Sequence, residues 1–147
     1  LGALILGKWL AAMALCGVLL LATIPYPAIL YLLGDPDPGV LATSYLGLLA
    51  CCAAFTAAGL FVSSTTRDQM VAGVGGVLVV LPFWLVSAVR DVLPESSLAV
   101  ADKLSFLAHL RSFASGVLDT GDLAWFAGFT FVFLFLTWRS LESRRWR

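Results

Sequence analysis

The chain has 147 residues, of which 61% are hydrophobic and 12% are charged, and its nine basic and nine acidic residues cancel. Soluble domains are nearer half apolar and a quarter charged, so this composition excludes an ordinary soluble protein and indicates an integral membrane protein. The balanced charge provides no overall field that would attract nucleic acid or an acidic substrate. Cys16, Cys51 and Cys52 all lie in apolar runs and predict neither a disulfide framework nor a metal site.

Four apolar runs bounded by charges predict an all-α membrane protein with a single transmembrane domain over residues 1–147. A helix needs roughly 20 apolar residues to cross about 30 Å of hydrocarbon. Pro25 and Pro27 predict that the first span loosens or ends near Ile24. Pro82 predicts a kink in the third span. The four predicted spans cover residues 9–33, 40–62, 70–89 and 123–138.

The fourth predicted span is short, with only 16 residues between Asp122 and Arg139. Trp125 and Trp138 bracket it as interfacial anchors, and Arg139 is able to snorkel toward water. These flanking residues favour a span despite its length.

The first connection between spans is the sequence GDPDPG, from Gly34 to Gly39. Its composition predicts a tight turn. Asp35 and Asp37 are interpreted as turn residues rather than calcium ligands, because a calcium site needs six or more oxygens.

Residues 90–122 form the longest connection and are too polar to span a bilayer. Ser96 or Ser97 is predicted to cap an amphipathic helix that lies near the outer surface and ends around Gly116. An ordinary packed loop helix is an equally good interpretation. The positions that define the apolar face of this helix are Val100, Leu104, Leu107 and either Leu110 or Arg111.

The distribution of lysine and arginine predicts the orientation of the chain. Six basic residues lie on the side that carries both termini, and three lie on the other side. The prediction is therefore that both termini and the turn 63–69 face the cytoplasm. The six are Lys8, Arg67, Arg139, Arg144, Arg145 and Arg147, and the three are Arg90, Lys103 and Arg111.

Small residues recur at helical spacing within the second and third spans. Such stripes allow two helix backbones to approach closely in lipid, and we interpret them as helix-packing surfaces. The predicted packing residues are Gly47, Cys51, Ala54 and Ala58 in the second span, and Ala72 and Gly76 in the third.

Two local patterns suggest chemistry, and both are rejected. Residues 2–9, GALILGKW, nearly match a phosphate-binding loop, but Trp9 replaces the hydroxyl that holds magnesium and no strand precedes it. His109 lies one helical turn from Ser105 and Ser112 and two turns from Asp102, without the oxyanion hole or buried base that a hydrolase needs. We therefore expect an exposed or interfacial histidine, no catalytic residue and no metal site.

The predicted spans contain no ionisable residue at mid-depth. Ion-coupled pumps and intramembrane proteases usually require such groups, so a membrane-embedded enzyme is disfavoured. Energy for transport would have to come from another chain.

The order of four motifs along nearly the whole chain resembles the type-2 ABC exporter permeases. The chain is most similar to the branch typified by the gliding-motility and nitrous-oxide-reductase-maturation permeases. The motifs are LGKWLAA (residues 6–12), YLGLLACCAAFTAAGLFVSSTTRDQMVAG (45–73), HLRSFASGVLDTGDLAWF (109–126) and FLFLTWRSLESRRWR (133–147).

The resemblance implies a six-helix subunit of the bacterial inner membrane that forms a homodimer or heterodimer and pairs with a separate ABC ATPase. ATP and magnesium would bind to that partner, with no cofactor in this chain. The four spans would correspond to the third to sixth of the family, with the N-terminal spans missing. The residues implied to face the ATPase are Lys8, Ser63, Arg67, Asp68 and Gln69. The alternative function is a non-transporting membrane anchor or assembly subunit.

Overall fold

The structure is a computed structural model that describes residues 2–89 and 94–145, and it is all-helical over these residues. The predicted all-α class is confirmed. The helices are α1 (Gly2–Ala22), α2 (Pro25–Leu33), α3 (Pro38–Thr65), α4 (Gln69–Val89), α5 (Glu95–Leu104), α6 (Phe106–Ala114) and α7 (Thr120–Arg145).

Four helical segments are long and apolar enough to cross a membrane: α1 together with α2, then α3, α4 and α7. Two helices extend beyond the predicted spans. Helix α1 begins at Gly2, before the predicted span 9–33, and α7 covers Thr120–Arg145, around the predicted span 123–138. Hydropathy detects only the apolar part of a helix, whereas the backbone hydrogen bonds continue into the polar residues on either side.

Helix α1 is interrupted where the prolines predict it. It ends at Ala22, and α2 begins at Pro25. Proline has no N–H to continue the hydrogen-bond ladder but is accommodated in the first turn of a new helix. Pro82, by contrast, lies inside the continuous helix α4.

Asp37 connects α2 to α3 as the N-cap residue of α3. Its Oδ1 atom accepts a hydrogen bond from the backbone N–H of Gly39 at 2.8 Å. Capping satisfies a backbone donor that the helix itself leaves unpaired. The turn chemistry predicted for this aspartate is therefore present.

Helix α3 is the centre of the bundle, and α1, α4, α6 and α7 all pack against it. The small residues on α3 let these helices approach closely, as expected for packing in lipid. Helices α1 and α4 leave most of their apolar side chains exposed on the outside of the bundle. The buried residues of α3 are Thr43, Gly47, Cys51, Ala54, Ala57 and Ala58.

The prediction of a single amphipathic helix between residues 96 and 116 was wrong, because this segment forms two helices. The backbone is extended at Ser105, which ends α5 and is the N-cap of α6. The Ser105 hydroxyl accepts a hydrogen bond from the Ala108 N–H at 3.2 Å and also forms a hydrogen bond with the Ser87 hydroxyl of α4. The predicted caps were wrong too, since α5 begins at Glu95, after the N-cap Pro94.

Helices α5 and α6, together called the hairpin here, pack against the long helices, α5 on α4 and α6 on α3 and α4. Helix α6 runs antiparallel to the first part of α3. The Phe106 ring is 5.1 Å from the Phe55 ring, and Phe113 contacts Gly47. Gly116, whose positive φ of 84° suits glycine, lies against Val40. Helix α6 is thus packed along α3 over its whole length.

Phe106 lies at the centre of an aromatic cluster that joins the hairpin to three long helices. Its side chain is 1% exposed, and edge-to-face or tilted ring contacts surround it. Such contacts contribute beyond the burial of area alone. The five rings with centroids 5.0–5.9 Å from that of Phe106 belong to Phe55, Phe83, Trp125, Phe126 and Phe129.

Candidate functional site

One end of the bundle, here called the terminal end, comprises the first turns of α1, the α3–α4 turn and the last turns of α7. A cavity of about 230 Å³ lies between these three segments. Lys8 and Ser63, two residues expected to face an ATPase, both line this cavity. Its lining residues are Leu4, Ile5, Lys8, Leu60, Ser63, Ser64, Thr66, Thr137 and Leu141.

The α3–α4 turn is fixed by hydrogen bonds of its own. The Asp68 Oδ1 atom accepts from the Met70 N–H at 2.8 Å, and the Asp68 N–H donates to Thr66 Oγ1 at 3.2 Å. The carboxylate of Asp68 therefore caps α4, which is a structural role. Arg67 and Gln69 flank it as exposed residues, so the turn presents a cation and an amide at the surface.

Arg139 belongs to the same end, near the C-terminus of α7. Its guanidinium lies 3.7 Å from the Glu142 carboxylate, one turn further along the helix, and the two side chains are 70% and 46% exposed. An exposed ion pair of this kind contributes at most about 1 kcal/mol to stability. Lys8, Arg67 and Arg139 thus form three exposed basic side chains at this end, beside the carboxylates of Asp68 and Glu142.

Gly76, one of the packing residues predicted in α4, lies against α3, but the closer contact is made by Gly75, which the prediction omitted. A methyl group at Gly76 would lie 3.6 Å from the Cα atom of Gly59. A methyl group at Gly75 would lie only 2.6 Å from Val62 Cγ1. Ala72 is half-buried. The adjacent glycines at 75 and 76 are a sequence signal for this close approach, because each removes a side chain from the helix surface.

The opposite end of the bundle contains a polar cluster around His109. The ring Nδ1 atom is 2.6 Å from Asp122 Oδ1 in the first turn of α7, and Nε2 is 3.1 Å from the Lys103 carbonyl oxygen in α5. The imidazole also stacks on the indole of Trp125, with ring centroids 4.6 Å apart. His109 therefore links α5, α6 and α7.

His109 was expected to be exposed or interfacial, and its side chain is 16% exposed. The acidic side chain that it contacts is Asp122, which the sequence analysis did not single out. The Ser105 hydroxyl is hydrogen-bonded to Ser87 and accepts a hydrogen bond from the α6 backbone. It is therefore not placed to act as a nucleophile activated by the imidazole. Asp122 is 13 residues from His109, beyond the reach of helical spacing, and only the chain reversal after α6 brings the two together.

An open pocket of about 380 Å³ exposes this cluster to solvent. The described residues contain no group of three or more His, Cys, Asp or Glu side chains arranged to hold a metal ion. The pocket is lined by Asp102, Lys103, Ala108, His109, Arg111 and Asp122.

A separate apolar groove of about 450 Å³ lies between α1, α3 and α7. Trp9 and Met13 form its α1 wall, and Phe131 and Leu134 belong to its α7 wall. The Trp9 indole N–H donates a hydrogen bond to the Ala53 carbonyl oxygen at 3.2 Å, which ties α1 to α3 beside the groove. In a bilayer, an apolar surface of this kind is compatible with lipid chains.

Comparisons of the chain with known protein families, with curated proteins and with solved structures find no match. The terminal end offers a basic surface built from three segments. The other end offers a histidine–carboxylate pair beneath an open pocket.

Proposed function

We propose that this chain is the membrane-spanning permease subunit of an ATP-binding-cassette exporter of the type-2 class, powered by a separate ATPase subunit. The observation that carries the proposal is the convergence of α1, the α3–α4 turn and α7 at the terminal end. Lys8 and Ser63 share one cavity there, and Arg67 is exposed on the neighbouring turn. A surface drawn from three helices suits a docking partner whose movements must be passed to the bundle.

The interior of the long helices is consistent with an external source of energy. Helices α3 and α4 carry no charged residue, and α7 has none between Asp122 and Arg139. Proton- or ion-driven transporters usually have ionisable groups at such positions. In the proposed mechanism, the partner binds ATP and magnesium and drives a change between two helix arrangements that it contacts differently.

In the proposed orientation, the terminal end faces the cytoplasm of a bacterium and the α5–α6 hairpin faces the other side of the inner membrane. The basic residues at the terminal end favour this orientation. The four spanning segments would be the third to sixth of a six-helix permease. The exposed apolar faces of α1 and α4 would contact lipid, other membrane helices or the second permease of a dimer.

Affinity purification of the tagged protein from its source membrane in mild detergent tests this function. We expect a soluble subunit with a phosphate-binding loop to co-purify, and ATP hydrolysis by the isolated complex. The Arg67→Glu variant should reduce its recovery about tenfold, because a reversed charge opposes an interface built for a cation. Arg111→Glu, a charge reversal at another exposed arginine at the other end, is the matched control and should leave recovery unchanged.

The alternative function is a non-transporting anchor or assembly subunit. The exposed apolar faces of α1 and α4 are equally suited to holding other membrane subunits. Recovery of membrane partners without any ATPase would contradict the exporter proposal and favour this alternative.

A further inference from the structure

Both ring nitrogens of His109 point at hydrogen-bond acceptors. Nδ1 faces a carboxylate oxygen of Asp122 at 2.6 Å, and Nε2 faces the main-chain carbonyl oxygen of Lys103 at 3.1 Å. A carbonyl oxygen and an ionised carboxylate accept hydrogen bonds but do not donate them. Two N–H groups, or one N–H and one carboxyl O–H, are therefore needed to make both bonds.

A neutral imidazole provides only one N–H donor. With an ionised Asp122, it would leave one of its nitrogens facing an acceptor with no proton between them. We infer that His109 and Asp122 form a proton-binding site, whose bound proton holds the α5–α6 hairpin against α7. The proton comes from solution and belongs to the pair, either as imidazolium beside carboxylate or as neutral imidazole beside a carboxylic acid.

The surroundings of the pair agree with such a site. Asp122 is 8% exposed, and its second oxygen, Oδ2, is buried without a hydrogen-bond partner in the described part of the chain. A buried carboxylate with so few donors is costly unless a positive charge or a proton accompanies it. A proton bound between His109 and Asp122 would offset this cost.

The open pocket beside the pair gives solvent protons a route to it. Among described residues, the other charged groups that line this pocket are Asp102 and Lys103 from α5 and Arg111 from α6. The lining includes no titratable side chain from α3 or α4, and none from α7 besides Asp122 itself.

Loss of the proton removes one of the two hydrogen bonds of His109. Either the link from α6 to α7 or the link from α6 to the Lys103 carbonyl is then broken, while the stack on Trp125 remains. Because the closed arrangement binds the proton, acid favours the closed hairpin and a rise in pH loosens it. This inference does not depend on the proposed transport function.

Asp122→Asn is the decisive variant. An asparagine amide can donate to Nδ1 while the neutral imidazole donates from Nε2 to Lys103, so both bonds form without an extra proton. The hairpin should then stay closed at every pH. Asp102→Asn, which neutralises another carboxylate at the same pocket, is the control that should leave the pH response in place.

The test uses the whole chain in lipid nanodiscs, between about pH 5 and about pH 9. His109 is the sole histidine, so labelling histidine with nitrogen-15 reports on this ring alone. Carbon-13 labelling of aspartate, assigned with Asp122→Asn, reports on the carboxyl group. We expect the pair to bind one extra proton in acid and to release it as pH rises. Amide exchange in α5 and α6 at the alkaline end should be about tenfold faster in the native chain than in Asp122→Asn, while the two should agree in acid.

Two results would overturn the inference. One is a neutral His109 with an ionised Asp122 at every pH tested. The other is amide exchange in Asp122→Asn that follows the native chain throughout the range. The labelled native chain decides the question by itself if the variant does not fold.

Discussion

Gly47 of α3 lies directly against the side chain of Phe113 in α6. A methyl group at position 47 would be 2.7 Å from the Phe113 Cβ atom and 2.9 Å from Cγ, while Phe113 itself is completely buried. Contacts this short leave no room for a side chain. The absence of a side chain at one residue therefore sets the distance between the hairpin and the central helix.

Gly47→Ala should destabilise the protein by about 1–3 kcal/mol, because the added methyl group forces α6 away from α3. Denaturation in mixed micelles, followed by circular dichroism, measures the change. Gly17→Ala is the control, since a methyl group there meets nothing within 4 Å. Equal stabilities of these two variants would show that Phe113 moves aside without cost.

Gly75 makes a similar contact between α4 and α3. Gly75→Ala should be destabilising because the new methyl group would lie 2.6 Å from Val62 Cγ1. Adding Val62→Ala should recover part of the loss, with a coupling of about 1 kcal/mol in a double-mutant cycle. Gly73→Ala provides the control, because a side chain there has open space. Strictly additive effects at positions 62 and 75 would argue against the contact.

Phe106 anchors the hairpin in the aromatic cluster. Phe106→Ala should cost about 3–5 kcal/mol, because it removes a fully buried ring from between α3, α4 and α7. The same unfolding measurement detects the loss, and limited proteolysis near residues 94–119 should become faster. Phe131→Ala, at a ring that is 70% exposed, should change stability little. Comparable losses in both variants would contradict a specific role for the cluster.

The proposed orientation predicts which residues react on each side of the membrane. In a background with Cys16, Cys51 and Cys52 replaced by alanine, Ser143→Cys should react with an impermeant maleimide only from the cytoplasmic side. Leu118→Cys should react only from the opposite side. Both native residues are exposed in the structure, so access depends on the membrane alone. The reverse pattern would invert the topology and remove the docking surface from the reach of a cytoplasmic ATPase.

The number and class of the long helices could be predicted from sequence because these features depend on local composition. A charge-free run long enough to cross a bilayer must satisfy its backbone internally, which favours a helix wherever such a run occurs. The small-residue stripe from Gly47 to Ala58 follows from spacing along one helix. The break before Pro25 follows from a missing backbone donor, and each of these causes lies within a few residues.

The hairpin and the His109–Asp122 pair were decided only by the tertiary structure. A single amphipathic pattern predicted one helix. In the structure, the Ser105 hydroxyl is hydrogen-bonded to Ser87 and to the α6 backbone, and α5 ends there. His109 contacts Asp122 because the chain reverses between α6 and α7 and the aromatic cluster holds both helices in place. Helical spacing describes neighbours three or four residues apart, whereas this contact depends on the simultaneous packing of distant segments around Phe106.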